Sequence, residues 1–409
     1  MTLDCLKVEL VFGKSGLSVF ISEKASRIDI FNTKDIKAEK NLFVKYKRKL
    51  FDFLNNHKGF KSVCIVIPDH TRACPTMELL SPLLKILACR EIKILIGTGT
   101  HRNSTKEEMT EMIPSDYLAF ASSHDYKDEN NLVQVGVIDE IPIKLNKQYV
   151  NSDLKIAIGL IEPHFMAGFS GGRKAIIPGI SGWEAIAYSH GNKILASERT
   201  KTGNLRKNPF HDFITRAVSL CSPTYCINAL IDRNRKPIDV FCGSMKETLK
   251  SGSGFYSRKQ AVEIRNLYDV VISGCGGYPL DATLYQGIKG LVTAAGLCRN
   301  GGKIYFFLEG SEGFGSERFA SFFSKHYDWE SLDSIFSEEK KVELDQWQIQ
   351  LLKKYASGKQ VIICSDYLCE TVFPPLEFLD TKSAKELIEN EKGSIAVIPE
   401  GPYTFFKLL

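Results

Sequence analysis

The sequence lacks most of the features that settle a protein's class at a glance. No apolar run approaches the ~18–20 residues needed to cross a bilayer, which excludes a helical membrane span. The opening MTLDCLKVELVFG carries Asp4 and Glu9 and no long apolar core, so it does not read as a secretory signal. The eleven cysteines are odd in number and no two are spaced C-x-x-C. That argues against a disulfide framework or an all-cysteine zinc site, and makes a reducing cytoplasm the expected compartment. There is no long basic block; 53 basic against 48 acidic residues give a net charge of +5. Nucleic acid therefore lacks its electrostatic footprint, while one anionic ligand is accommodated. No G-x-G-x-x-G follows a predicted strand and no G-x-x-x-x-G-K-[ST] is present, so neither a dinucleotide fingerprint nor a P-loop is expected. Internal repeats and low-complexity segments are missing too.

What is present is ordinary globular material. The chain has 409 residues, 44% hydrophobic, 25% charged and 11% aromatic, enough for two domains or so at a typical ~100–200 residues each. Ser62–Ile67 reads as a buried strand, Asp69–Pro75 as a loop, and Thr76–Ala88 as a helix with Thr76 as its N-cap. Ile92–Ile96 is the next strand and Gly97–Asn103 the next loop. Ser104 with Glu107 predicts a capping box for a further helix. This alternation predicts right-handed parallel βαβ units. Leu154–Gly159 is a third buried strand, leading into the Gly-rich stretch Glu162–Gly182. Tyr225–Leu230 and Pro237–Cys242 read as a hairpin around Asp232–Lys236.

Beyond a weak region at Lys246–Arg265 the same grammar resumes. Strands are expected at Asp269–Ser273, Lys303–Leu308, Gln360–Cys364 and Ser394–Ile398, and helices at Ala282–Leu297 and Asp328–Tyr355. The expectation is an α/β protein in two lobes, residues 1–264 and 265–409, each a mainly parallel sheet flanked by helices, with the active site in the cleft between them.

In parallel α/β sheets ligands bind beyond the carboxyl ends of the strands. The first strand ends at Asp69-His70-Thr71-Arg72, the second at Gly97-Thr98-Gly99-Thr100-His101-Arg102, and the third leads to Glu162-Pro163-His164. Three of the chain's eight histidines fall in these loops, and parallel topology would gather them at one rim. Gly168, Gly171 and Gly172 then precede Lys174. From the residues alone this is either a phosphate cradle or a structural crossover bearing a surface lysine. His190 alone reads as a structural histidine. Gln286 and Lys289, spaced i, i+3, share a helix face beside the Gly-rich strand end Ser273–Asp281. Cys275 in that loop is a weaker candidate nucleophile, since its own element supplies no histidine. Trp347 reads as packing.

Taken in order, these motifs resemble the nickel-pincer lactate racemase family: Asp69-x-Thr71-Arg72, Gly99-Thr100-His101-Arg102, Pro163-His164-x-x-Ala167-Gly168-Phe169-Ser170-Gly171-Gly172-x-Lys174, His190, and Gln286-x-x-Lys289 followed by Trp347. The match spans nearly the whole chain, and the Pro-His to Gly-Gly-x-Lys stretch is its most specific part. The resemblance implies an isomerase inverting the carbinol carbon of a 2-hydroxy acid by reversible hydride transfer. Its cofactor would be a nickel-pincer nucleotide (pyridinium-3-thioamide-5-thiocarboxylic acid mononucleotide) tethered to Lys174, with His190 as the protein ligand to nickel. Asp69, His70, Thr71 and Arg72 would line that cofactor. His101 and His164 would be the two acid–base groups, one for each substrate orientation. Arg72 and Lys289 would meet the carboxylate and developing oxyanion, Gln286 would orient the substrate, and Tyr285 and Trp347 would wall the pocket. Cofactor-maturation enzymes are implied as partners. One departure is local: Ala73 and Cys74 separate Arg72 from Pro75, where family members often have proline directly after the arginine. The competing readings are a nicotinamide dehydrogenase, a metal hydrolase using His70, His101 and His164, and a noncatalytic ligand-binding homologue.

Overall fold

The computed structural model describes residues 5–34, 36–56, 59–87, 90–221, 224–232, 235–325, 327–337 and 342–408. Five consecutive residues, Val63 to Ile67, are fully buried. That is the mark of a strand covered on both faces, as parallel sheets require. The strand Ser62–Pro68 is the centre of a six-stranded sheet in the order Pro237–Ser244, Tyr225–Ile231, Leu154–Leu160, Ser62–Pro68, Glu91–Gly97, Ala121–Ser123. All neighbours are parallel except the hairpin at the first edge, where Tyr225–Ile231 and Pro237–Ser244 run antiparallel. The chain lays down Ser62–Pro68 and then builds toward one edge before returning to the other side of the same strand. The order therefore reverses between Ser62–Pro68 and Leu154–Leu160. At such a switch point the flanking loops diverge and leave a crevice at the carboxyl ends. Leu79, Leu80, Leu83, Leu84 and Leu87 of the helix Thr76–Leu87 pack on this sheet, with Tyr46 and Leu50 from the helix Leu42–Asn56.

These elements form one compact unit, residues 35–259; the other comprises residues 1–34 with 260–409. The observed split falls near the expected boundary at 264, but the first 34 residues pack with the second half. The reason is strand pairing. Arg27–Ile30 joins Ser394–Ile398 in parallel register, and Val8, Leu10, Val19 and Ile21 of the leading hairpin enter the same core as Val270, Ile272 and Val397. The second unit's sheet is parallel throughout, in the order Glu377–Leu379, Gln360–Cys364, Cys298–Phe307, Tyr268–Gly274, Ser394–Ile398, Arg27–Ile30. Its strand order reverses at Tyr268–Gly274, next to which the helix Leu284–Ala295 begins after a short loop.

Three local readings shift. The capping box uses Thr105 and Glu108 rather than Ser104 and Glu107, because the Ser104 amide is bonded to Ser123 Oγ. Thr76 is the first helical residue rather than the cap; Ala88, the expected end of that helix, lies outside the described residues. The long helix expected over Asp328–Tyr355 is two, Trp329–Ser337 and Gln346–Ala356. Among the described residues no helix is long and apolar enough to cross a membrane.

Candidate active site

Each strand end in the unit 35–259 carries a different piece of chemistry. After Ser62–Pro68 the chain turns at once, with the Arg72 amide bonded to the Asp69 carbonyl. The turn buries the Asp69 side chain, 3% exposed. Its Oδ1 accepts from Thr71 Oγ1 at 2.7 Å and its Oδ2 lies 2.6 Å from His101 Nδ1. Burial alone would raise the Asp69 pKa. The His101 hydrogen bond and charge, with Thr71 and Arg72, outweigh it and hold the carboxyl below its usual range. Asp69 is thus an anion at neutral pH and an acceptor only, so His101 Nδ1 donates to it. In the neutral ring, that leaves the lone pair on His101 Nε2. The arrangement matches the aspartate–histidine half of a catalytic triad.

His70 turns elsewhere. Its Nε2 lies 3.3 Å from Glu108 Oε1 and 3.4 Å from Arg102 Nη2. Arg102 and Glu108 form a bidentate pair at 2.5 and 2.8 Å, and that pair draws Glu108 down to about 2. The loop bearing His101 is pinned to the Gly-rich segment by the bond from the Gly99 amide to the Gly179 carbonyl, 3.0 Å.

The Gly-rich segment folds back on the third strand end. Ser170 Oγ donates to the Leu160 carbonyl at 2.8 Å and accepts from the Glu162 amide at 3.0 Å. His164 pairs with Gly168 in a two-residue antiparallel ladder. Gly168 sits at φ +74°, and a Cβ there would meet the Asn204 carbonyl oxygen at 2.1 Å, so only glycine fits. Below the turn, the Arg173 guanidinium is 1% exposed. It donates to the carbonyls of Ala167, Phe169 and Ser170 at 2.7–3.1 Å. Burial pushes it down to about 9.

The turn brings Lys174 and His164 together, Nζ to Nε2 2.7 Å. His164 Nδ1 accepts from the amides of Met166 and Ala167 at 3.1 and 3.3 Å. Phe210 forms the common wall: its ring centroid lies 5.3 Å from Lys174 Nζ, 6.4 Å from the His164 ring and 5.1 Å from the His190 ring. His190 ends the helix Trp183–Ser189, where its Nδ1 reaches the Ile186 carbonyl at 2.9 Å and Ser189 Oγ at 3.0 Å. Burial pushes it down to about 3. His190 is therefore neutral, protonated at Nδ1, with a lone pair on Nε2: the form in which imidazole binds a metal, oriented by a carbonyl partner.

The other unit holds a separate group. Thr283 Oγ1 caps the helix Leu284–Ala295 by accepting from the Gln286 amide, and Lys289 Nζ donates to Gln286 Oε1 at 2.8 Å. Tyr285 OH donates to Asp345 Oδ1 at 2.8 Å, and Ser316 Oγ to Asp345 Oδ2 at 2.6 Å. Asp345 immediately precedes the helix that carries the buried Trp347, and Gln348 Nε2 of that helix donates to the Tyr285 carbonyl at 3.0 Å. Cys275 is fully buried, which raises its thiol far above the range of a nucleophile.

The residues 27–203 match the profile of the lactate racemase N-terminal domain, and residues 264–403 that of the lactate racemase C-terminal domain. A lactate racemase of Thermoanaerobacterium thermosaccharolyticum is 32% identical over 359 residues, 84% of each chain. One of Lactiplantibacillus plantarum is 31% identical over 362 residues, again 84% of each. The chain belongs to the lactate racemase family.

It is accordingly an enzyme of the isomerase class. The structure of the T. thermosaccharolyticum lactate racemase apoprotein superimposes with a TM-score of 0.88 at 29% identity, covering 98% of this chain and 100% of that one. A Thermotoga maritima protein shares the fold, with a TM-score of 0.71 at 19% identity over 92% of this chain and 100% of that one.

Within that family frame, the fold gathers Asp69, Thr71 and His101 into one bonded group, and Lys174, His164 and His190 into another around Phe210. His70 belongs to neither, being engaged by Glu108 and Arg102. Among the described residues no group of three or more His, Cys, Asp or Glu is placed to hold a metal ion. The ligand set suggested for His70, His101 and His164 is thus not assembled, which removes the basis of the hydrolase reading. A single neutral histidine beside an attachable lysine fits a metal whose other donors arrive with an organic group. Sequence reading missed Arg173, Phe210 and Asp345. Arg173 and Phe210 carry no motif of their own, and Asp345 is distant in sequence from the tyrosine it holds.

Proposed function

We propose that the chain racemises or epimerises a 2-hydroxy acid with a nickel-pincer nucleotide attached through Lys174 and ligated by His190. When bound, that group supplies the hydride acceptor for the carbinol carbon. The observation that carries the reading is the set around Phe210: an attachable amine and a neutral imidazole, both packed against the same aromatic ring. Thr71 and Arg72 are assigned to the cofactor's surroundings, with Asp69 acting through His101 and His70 through Arg102.

His101 is the resting base. Its Nε2 takes the hydroxyl proton as hydride leaves carbon, and the ionised Asp69 stabilises the imidazolium formed. A histidine would return the proton to the substrate oxygen when the carbinol is re-formed. His164 serves the opposite substrate orientation, and to act as a base its ring must give up the Met166 and Ala167 amides. Arg72, Lys289 and Gln286 are assigned to the substrate carboxylate and oxyanion. Trp347 is assigned to the pocket wall. Tyr285 acts through Asp345, which occupies its hydroxyl. The odd cysteine set, all ten described members of which are free thiols, suits a reducing cytoplasm, where maturation enzymes would load the cofactor.

The test is a panel of 2-hydroxy acids, offered as single enantiomers to protein co-expressed with the maturation enzymes and nickel, and followed by chiral chromatography. Inversion of at least one acid is expected, abolished by Lys174→Ala and by His190→Ala. Inversion that persists in Lys174→Ala overturns the assignment.

A further inference from the structure

We propose that Asn228 is a positioning residue for the attachment lysine, capping from a neighbouring strand the short helix that carries Lys174. That helix, Gly172–Ile176, begins in a form that cannot cap itself: its N-cap is Gly171, at φ +117°, with no side chain to offer. The leading amides of a helix have no partner within it, and here Gly172 is buried. The Gly172 amide donates instead to Asn228 Oδ1 at 2.8 Å. Asn228 is 1% exposed and lies on the strand Tyr225–Ile231. Its other end is fixed as well. Nδ2 donates to Thr248 Oγ1 at 3.0 Å, and that hydroxyl directs its own hydrogen to the Ser244 and Met245 carbonyls at 3.0 and 3.2 Å. A backbone amide can only donate, and the Thr248 hydroxyl, its hydrogen spent on a carbonyl, can only accept. Both ends of the Asn228 amide are thereby determined.

The sheet makes room for this contact with glycine. Asn228 stands opposite Gly159 in parallel register, and strand neighbours in register present their side chains on the same face. Gly159 has none, and the Gly172 amide uses the space: a Cβ on Gly159 would lie 3.3 Å from that nitrogen and 3.2 Å from Asn228 Oδ1. Gly172 is seated as closely, since a Cβ there would meet Cys226 Sγ at 2.7 Å. The start of the helix is pressed onto the sheet with Asn228 as its polar anchor. Lys174 follows two residues later, its own amide bonded to the Gly171 carbonyl at 2.8 Å. Arg173 serves the carbonyls of the turn before the helix, and Asn228 serves the amide at its start. A merely structural Asn228 would support the sheet as a whole, whereas a positioning Asn228 acts on the Lys174 segment. The proposal rests on the reading of Lys174 as the attachment residue.

Asn228→Leu removes the acceptor at similar size, whereas Asn228→Asp keeps an oxygen for the Gly172 amide in either protonation state. Hydrogen exchange of the apo full chain is read by mass spectrometry on the fragment covering the helix Gly172–Ile176. It should be about tenfold or more faster in Asn228→Leu than in wild type, and near wild type in Asn228→Asp. The fragment covering the strand Ser62–Pro68 of the same sheet should be unchanged in both. Cofactor attachment is read as added mass on the Lys174 peptide after co-expression with the maturation enzymes and nickel. It should fall about tenfold or more in Asn228→Leu and return to within about threefold of wild type in Asn228→Asp. Thr248→Val, which leaves Asn228 in place but strips its orienting partner, should show both changes in smaller degree, and carries the test if Asn228→Leu does not fold. Exchange of the helix unchanged in Asn228→Leu, exchange raised equally across the sheet, attachment that Asn228→Asp fails to restore, or a Thr248→Val protein with both readouts at wild type overturns the proposal. Equal loading of wild type and Asn228→Leu overturns it while leaving Lys174 as the attachment residue. Added mass on a peptide other than that of Lys174 overturns the attachment reading, and the proposal with it.

Discussion

Asp69→Asn is the most informative single substitution in this site. Asp69 is buried and ionised, and it fixes His101 through a 2.6 Å bond to Nδ1. Asparagine keeps the size and removes the charge. If only the charge-assisted bond is lost, about 1.5–3 kcal/mol of orientation and imidazolium stabilisation disappears, roughly a 10- to 150-fold fall in turnover. If the amide instead donates to Nδ1, the proton moves to Nε2 and the lone pair is lost. A tautomer error of that kind costs about 10⁴ in a Ser-His-Asp triad. The expected result is a drop of about 10–10⁴ in kcat for loaded enzyme, read by chiral chromatography at saturating substrate. Cofactor occupancy, read by intact mass, should be unchanged, because Asp69 acts through His101. The sign of the stability effect also follows. The folded-state carboxyl lies below its unfolded value, so the wild type gains stability above the unfolded pKa and loses it as pH falls through the folded one. Asp69→Asn should be less stable than wild type at pH 7, with the gap closing in acid. Turnover within threefold of wild type, at equal occupancy, refutes the assignment of His101 as the base held by Asp69.

Other substitutions probe the supports. Gly168→Ala combines a positive φ with a Cβ 2.1 Å from a carbonyl oxygen; a loss of about 3 kcal/mol or more is expected in urea unfolding of the apo protein, and an unchanged midpoint contradicts the close approach. Arg173→Met strands the three carbonyls that the guanidinium serves, at about 1–3 kcal/mol each, so it should lower the same midpoint. Tyr285→Phe removes the hydroxyl held by Asp345 and should raise KM more than it lowers kcat, since the contact positions a helix and touches no reacting atom. Asp269, drawn down to about 2 by Ser394 and Arg299, contributes stability above its unfolded value near 3.8 and loses it as pH falls toward 2; Asp269→Asn should flatten that part of the acid unfolding curve.

Sequence reading located the strands because they are buried on both faces and announce themselves as unbroken apolar runs rich in β-branched residues, as at Val63–Ile67. It placed the loops bearing Asp69, His101 and His164 at strand ends because in a parallel sheet the segments that follow the strands gather at the carboxyl edge. It failed where partners are remote in sequence. Val8, Leu10, Val19 and Ile21 alternate as a half-buried hairpin should, yet nothing local says that their core lies more than 240 residues away, against Val270 and Val397. The same limit hid Asp345, whose link to Tyr285 spans 60 positions. His70 is a different case: its loop position suggested a cofactor-lining side chain, and in the structure the Arg102–Glu108 pair engages its Nε2. The tautomers of His101, His164 and His190 were out of reach altogether, because each is set by what the other ring nitrogen touches.

The most direct test of the account is intact and peptide-level mass spectrometry, with nickel analysis, of the chain co-expressed with the maturation enzymes. The account predicts one added group on the peptide containing Lys174, about one nickel per added group, and loss of the nickel but retention of the added mass in His190→Ala. A bare polypeptide mass with no nickel, or an added mass on a peptide other than that of Lys174, contradicts it.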